Sequence, residues 1–391
     1  MRPVVVLTAA LAAAATLAAC SEPPTRAISP LTTKPTSEVF PSAASLADWL
    51  GGYPSPSSPA PGASVLVGAG DIAECYQGSQ PPITPPNTSQ TAAESTAVLL
   101  DQMPGTVIAV GDNAYQFGST FDYNACYRPT WGRHFDRTRP ATGNHEYESA
   151  SEGYLTYFGA RGGPPGLYYY SYDLGSWHIV VLNSTTQVYL CYPPELSEAE
   201  DGAEDSDWWR TLFPSPQLDR EPTSRTAGRA CAGDAAQQAW LVSDLSSHSA
   251  ECTLVYFHHP RFSSGVHGNQ YQMQRIWDIL YAFGVDVAIT GHDHDYERFA
   301  PQDEKGRYDP SFGIRQFVVG TGGADLRSVG PPIENSEVLF TGVHGVIGLA
   351  LNEGSYGWAF VDVNQAVRDS GSESCHAMPK KRPRLTFKLP A

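Results

Sequence analysis

Apolar and polar positions along this chain switch between a strand-like and a helix-like period. Val65-Leu66-Val67 is a short apolar run, Ala92 to Gln102 carries a helical repeat, and Val107-Ile108-Ala109-Val110 is a second apolar run, which together predict a β-α-β unit. Leu167 to Tyr172 and Trp177 to Leu182, separated by Asp173-Leu174-Gly175-Ser176, predict a β-hairpin. A helix is expected after Asp234, a good N-cap, with Ala236, Trp240, Leu241 and Leu245 on one face. The run Thr253 to Phe257 predicts a strand, and Ile276, Trp277, Leu280 and Tyr281 predict a helix that stops at Gly284. Val285, Val287, Ala288 and Ile289 then form a buried strand. Further on, Phe317 to Gly323, Val346 to Leu351 and Trp358 to Val363 are expected to be strands of a second sheet. No internal repeat is present, and the alternation as a whole predicts an α/β fold.

The flanks differ in composition. Arg2 precedes an apolar run from Val4 to Leu17, short for a membrane span, followed by Leu17-Ala18-Ala19-Cys20. Residues 1–20 are similar to a bacterial lipoprotein signal peptide ending at a lipobox cysteine. That similarity implies a lipidated Cys20, membrane attachment through its acyl chains, and a periplasmic or cell-surface location, with plain secretion as the alternative. Residues 21–63 are rich in Pro, Ser, Thr and Ala and read as an extended tether, so the folded domain is expected to span 64–391. Within it, 194–233 reads as an inserted acidic loop.

Composition narrows the range of partners. A formal net charge of −16 over 391 residues argues against nucleic acid or an anionic membrane surface. The one basic run, Lys380 to Arg384, reads as a solvated tail. Besides Cys20 the chain has Cys75, Cys126, Cys191, Cys231, Cys252 and Cys375. In an exported chain this even number predicts three disulfides, although six cysteines permit fifteen connectivities. Proximity hints at Cys75 with Cys126 and Cys191 with Cys231, which leaves Cys252 for Cys375. No C-x-x-C pair suggests thiolate metal binding.

The chemistry gathers at predicted strand ends: Asp71; Asp112 with Tyr115; Asn144 with His145; His258; and His292 with His294. Ligands of open α/β sheets bind beyond the carboxyl ends of strands, and two histidines two residues apart suit a metal. In order, these clusters spell GD, GDxxY, GNHE, VxxH and GHxH, the last continuing as GHDHDYER over Gly291 to Arg298. The set resembles the metallophosphoesterases, and specifically the purple acid phosphatases, over roughly residues 64–365. The resemblance implies a four-layer αββα sandwich with two mixed sheets face to face. It also implies two metal ions, Fe(III) and a divalent Fe, Zn or Mn, with Asp112 bridging. The first would take Asp71, Asp112, Tyr115 and His294, and the second Asp112, Asn144, His258 and His292. Ala73 stands where most of the superfamily has a metal-binding histidine, and Tyr115 replaces that ligand, as suits hard ferric iron.

The same resemblance puts His145 and, in the segment Ser263 to Gly268, His267 beside the substrate, to orient the phosphate or protonate the departing alkoxide. His259 is either a ligand neighbour or packed, while Glu146, Asp293, Asp295, Glu297 and Arg298 are expected to orient ligands. His134, His178, His248, His344 and His376 fall outside the motifs and are expected to have no part in the site. The expected activity is exported phosphomonoester hydrolysis of a small-molecule phosphate ester by a metal-activated water. A phosphodiesterase and a non-catalytic, metal-containing surface protein are the alternatives. Plant-type relatives carry a β-sandwich that this chain does not show before Ser64, so the substrate and the oligomeric state stay open.

Overall fold

The computed structural model describes residues 46, 49, 63–76, 87–190 and 234–376. The signal segment, the 194–233 insertion and the basic tail lie outside the described residues. In chain order the elements are β1 (Ser64–Ala69), α1 (Ala92–Gln102), β2 (Thr106–Val110), β3 (Thr138–Ala141), α2 (Glu152–Phe158), β4 (Tyr170–Leu174), β5 (Trp177–Val181), α3 (Ser184–Tyr189) and α4 (Ala235–Ser247). There follow β6 (Cys252–Tyr256), α5 (Gln274–Phe283), β7 (Val287–Thr290), β8 (Tyr296–Phe299), β9 (Arg315–Val319), β10 (Ser336–Phe340), β11 (Gly345–Asn352), β12 (Ser355–Asp362) and β13 (Val367–Ser374).

Two mixed sheets result. One has the order β13-β12-β11-β1-β2-β3, with β1, β2 and β3 parallel. The other is β10-β8-β9-β7-β6-β5-β4, with β5, β6, β7 and β9 parallel. Alternation along the strands sorts side chains between two cores. Ile179, Val181, Leu254, Tyr256, Val287, Ile289, Phe317 and Val319 join β1, β2, β11 and β12 in the core between the sheets. Their neighbours Val180, Val255, Ala288 and Val318 face the opposite way, against Leu241 and Leu245 of α4 and Ile276, Trp277, Ile279 and Leu280 of α5. With Ala93, Ala97 and Leu100 of α1 covering the first sheet, the layers run helix, sheet, sheet, helix. This is the expected sandwich.

Four expectations need correction. The three late apolar runs do not share a sheet: β9 lies beside β7, whereas β11 pairs antiparallel with β1 and β12 with β11. Periodicity identifies a strand but not its neighbour. In the hairpin, Tyr168 at φ 55° and the turn from Pro164 delay β4 until Tyr170, and Leu174 pairs with Trp177, so the turn shortens to Gly175-Ser176. On α4 Ala236 is exposed, and Gln237 and Gln238 are buried. Gln237 satisfies both backbone groups of Asn183, and Gln238 donates to Gln187, so hydrogen bonding overrides apolar period. Finally, Leu46 and Trp49, inside the expected tether, are buried; a Cβ at Gly348 would come within 2.7 Å of the Trp49 ring and 2.8 Å of Met103 Cε, which puts Trp49 beside the end of α1 on the outer face of the first sheet. These are two large apolar side chains three residues apart in a stretch whose composition is otherwise Pro- and Ser-rich. Together they contribute about 3 kcal/mol or more of burial. The described residues all belong to one compact unit, Pro41–Ala391.

Two disulfides form as expected, Cys75–Cys126 and Cys252–Cys375. Cys191 and Cys231 lie outside the described residues. Cys75–Cys126 closes a span of 51 residues, which in the chain-entropy account removes about 4 kcal/mol from the denatured state. It also ties the loop after β1 to the segment that follows β2.

His178, at the start of β5, serves the fold and not the site. Its Nδ1 lies 3.0 Å from Asp173 Oδ1 and its Nε2 2.8 Å from Asp244 Oδ2. Burial opposes the charged ring, but hydrogen bonds and charge from Asp244 and Asp173 outweigh it and raise the proton affinity above the ordinary 6.5. The folded value is thus the higher one. The stabilisation is complete below the unfolded value and is lost as pH rises through the folded one. Asp244 is shifted down, so its share is lost only as pH falls below the ordinary 3.8. Asp244→Asn is therefore expected to cost about 1–2 kcal/mol near pH 6, shrinking towards pH 9, in urea unfolding. A cost that does not change with pH would contradict this linkage.

Candidate metal centre

All seven side chains expected to hold metal lie at or just beyond the carboxyl ends of parallel strands. β1 leads to Asp71, β2 to Asp112 and Tyr115, and β3 to Asn144 in the first sheet. β6 leads to His258, and β7 to His292 and His294, in the second. Backbone bonds stitch the two edges together: Gly70 N–H donates to Val319 carbonyl at 2.9 Å and Gly322 N–H to Gly70 carbonyl at 2.9 Å. Close approach demands glycine at two places. A Cβ on Gly111, at φ 83°, would lie 2.7 Å from the His258 ring, and one on Gly291 would lie 2.5 Å from Asp71 Oδ2. Asp71, Asp112 and His292 themselves have φ of 57°, 49° and 72°. Left-handed backbone at three non-glycine positions costs of order 1–3 kcal/mol each and clusters where side chains must be aimed.

The Tyr115 hydroxyl sits 2.8 Å from Asp71 Oδ1, 3.1 Å from Asp112 Oδ2 and 3.2 Å from His294 Nε2. His294 Nε2 is also 3.2 Å from Asp71 Oδ1. On the other side, His258 Nε2 lies 3.1 Å from the same Asp112 Oδ2. Ligand atoms of Asp112, His258 and His292 all fall within 4.8 Å of one another. Asn144 lies between Gly143, where a Cβ would meet Asp112 Oδ1, and His145, whose N–H donates to that oxygen at 2.9 Å. Asp112 is common to both groups.

Three of the imidazoles are oriented by carbonyls. His258 Nδ1 bonds Val110 carbonyl at 3.0 Å, His294 Nδ1 bonds Asp325 carbonyl at 2.5 Å, and His145 Nδ1 bonds Gln116 carbonyl at 2.6 Å. An oxygen acceptor fixes the proton on Nδ1 and turns the Nε2 lone pair towards the centre. Glu146 is buried and braces the loops, accepting from the N–H groups of Asp112, Asn113 and Gly143 and from Tyr123 Oη. Asp293 accepts from Ser263 Oγ and His267 N, and Glu297 from Ser264. Arg298 pairs with Asp369 and Glu337 and takes no part.

The residues fit cations. Asn144 Oδ1 is buried without a hydrogen-bond partner among the described residues, and His258 Nε2, with the ring proton held on Nδ1 by the Val110 carbonyl, turns its lone pair to Asp112 Oδ2 at 3.1 Å, two acceptors that a cation between them would satisfy. Carboxylates crowd the region: burial, with Asp293, Glu297 and Asp71 nearby, pushes Asp295 up to about 8. Burial, Asp112 and Asp71 also hold the Tyr115 phenol well above its usual range. Oxygen and imidazole donors facing uncompensated negative charge form a hard-to-borderline metal set.

Of the neighbours, Ser184 and Arg327 escaped sequence reasoning. His259 is packed, its Nδ1 2.8 Å from Ser184 Oγ and its ring 4.5 Å from that of His292. His267 stacks on His292 at 4.2 Å, and Arg327 donates from Nη1 to His267 Nε2. His344, expected to stand apart, is near enough to His294 and Asp325 for their charges to act on it. The glycine-rich turn Gly320-Thr321-Gly322-Gly323 after β9 was the one available signal for Arg327.

The Calcineurin-like phosphoesterase profile matches residues 90–296. Purple acid phosphatase 18 of Arabidopsis thaliana is 38% identical over 93 residues, 22% of this chain and 21% of that protein. Acid phosphatase type 7 of Mus musculus is 25% identical over 163 residues, 41% of this chain and 32% of its own. In both curated relatives the match thus spans less than a third of the relative's length. Among solved structures, purple acid phosphatase PPD1 from yellow lupin seeds superposes with a TM-score of 0.52 at 18% identity, covering 83% of this chain and 55% of that one, which supports the fold. With a profile match over more than half of its residues on this two-sheet frame, the chain belongs to the calcineurin-like phosphoesterase family and is purple acid phosphatase-like within it.

Proposed function

We propose that this chain is an exported dimetal phosphomonoesterase. The observation that carries this reading is the position of Asp112 Oδ2, 3.1 Å from both Tyr115 Oη and His258 Nε2 and so shared by two donor sets. Asp71, Asp112, Tyr115 and His294 would hold one ion, and Asp112, Asn144, His258 and His292 the other. Three oxygen donors in the first set favour Fe(III), and the mixed set favours divalent Fe, Zn or Mn. When bound, the pair supplies Lewis acidity, drawing in phosphoryl oxygens and acidifying the attacking water.

The chain's own residues do the rest. Glu146 and the carbonyls of Val110 and Asp325 fix the donor geometry before substrate arrives. His145, with Nδ1 on Gln116 carbonyl, presents Nε2 3.8 Å from Asp112 Oδ2, where it can hold a proton and give it to the leaving oxygen. An oxidising compartment is favoured by the two disulfides, and lipid attachment would rest on Cys20 alone. Among the described residues no helix is long and apolar enough to cross a membrane.

The test is hydrolysis of p-nitrophenyl phosphate beside bis-p-nitrophenyl phosphate by the metal-loaded protein. The expected kcat/KM favours the monoester by about tenfold or more, a difference of roughly 1.4 kcal/mol. A preference for the diester, or no hydrolysis of either, contradicts the proposal.

A further inference from the structure

We infer that Arg327 recognises the phosphate group at the mouth of the metal centre, that His267 holds it there, and that this pair biases the site towards dianionic monoesters. The inference rests on the phosphoesterase reading above and deepens it.

Arg327 follows the glycine-rich turn after β9 and is half-buried. Its backbone N–H reaches His294 carbonyl at 3.4 Å, so its main chain is pinned to a proposed ligand residue. Its Nη1 donates to His267 Nε2, and the His267 ring stacks on His292 at 4.2 Å with 26° between planes. The His267 N–H is in turn fixed by Asp293 Oδ1 at 2.9 Å. Arg327 is thereby connected to both histidines of the His292–His294 motif, through its backbone to His294 and through its guanidinium and His267 to His292.

Arg133, Arg298, Arg307, Arg315 and Arg368 each take a carboxylate partner, whereas Arg327, like Arg137, meets a histidine, and no carboxylate bond to Arg327 is present among the described residues. A guanidinium carries five N–H donors and accepts nothing. Two consequences follow. One donor occupies His267, and the others remain suited to an oxyanion, for which arginine is the preferred partner. And His267 Nε2, as the acceptor of that bond, has no proton on this atom to give a leaving group, so His267 becomes a positioning residue instead of a general acid. A phosphate monoester brings two negative charges and three terminal oxygens; a diester brings one charge and two. An extra fixed cation at the site therefore favours the monoester more.

The test uses the full-length, metal-loaded protein, the variants Arg327→Ala, Arg327→Lys and His267→Ala, and the double variant Arg327→Ala with His267→Ala. Inorganic phosphate binding is measured by calorimetry, together with KM and kcat for the mono- and bis-p-nitrophenyl esters. In Arg327→Ala, phosphate affinity and monoester KM are expected to worsen about tenfold or more, the scale of one lost charge-assisted hydrogen bond, with diester KM within about twofold. Lysine restores part of the loss. His267→Ala moves the same two quantities, and the double variant is no worse than Arg327→Ala, because the two side chains act as one unit. Phosphate affinity and monoester KM within twofold of wild type in Arg327→Ala overturn the inference while leaving the phosphomonoesterase reading intact. A wild-type protein that binds no phosphate and cleaves neither ester removes both.

Discussion

Replacing Asp112 with asparagine is expected to reduce bound metal from two ions per chain to one or fewer and to lower turnover by about a thousandfold or more. Loss of an outer partner of a metal ligand already costs about 10- to 100-fold, and Asp112 is the one side chain shared by both donor sets. The substitution keeps volume and shape, so the loss would report chemistry and not packing. Asp112 Oδ2 faces Tyr115 Oη and His258 Nε2, and its Oδ1 accepts from His145 N. An amide nitrogen at Oδ2 would present donor hydrogens where two cations require lone pairs; at Oδ1 it would oppose the His145 N–H. Either flip fails. Metal analysis and monoester turnover on the same preparation check this, and a variant that keeps both ions and most of its activity would show that Asp112 is not shared.

The second large effect is expected at His145. His145→Asn should lower kcat by about 10²- to 10⁴-fold while metal content and KM change little, because its proposed task is proton transfer and not coordination. The ring is fixed by Gln116 carbonyl and leans on the Tyr115 ring at 4.4 Å, with Nε2 left over. A proton donor matters most when the leaving oxygen is strongly basic. The loss should thus be greater for an alkyl phosphate than for p-nitrophenyl phosphate. Equal losses on both substrates, or metal loss in step with activity, would move His145 from acid catalysis to structure.

Much of the centre was legible in the chain because short turns directly follow apolar strands. Asp71, Asp112, Asn144, His258 and His292 each sit within a few residues of a strand end, so a parallel arrangement brings them to one edge. What stayed hidden depends on contacts that sequence does not encode locally. The carbonyls of Val110, Gln116 and Asp325 that orient three histidines have no residue signature. Ser184 and Arg327 are ordinary loop or helix-end residues until the fold sets them beside His259 and His267. Trp49 was masked by its Pro- and Ser-rich surroundings, although Gly348 leaves space for its ring. The partition of β9, β11 and β12 between sheets was equally hidden, since all three are apolar on both faces.

In the proposed centre one aspartate, Asp112, and one tyrosinate, Tyr115, organise two cations. Elemental analysis of the purified chain, read beside its visible spectrum and that of Tyr115→Phe, tests it most directly. Two ions per chain are expected, one of them iron, with a visible band that the phenylalanine variant lacks. A wild-type protein with fewer than two bound ions, or with two ions and no Tyr115-dependent colour, would contradict it.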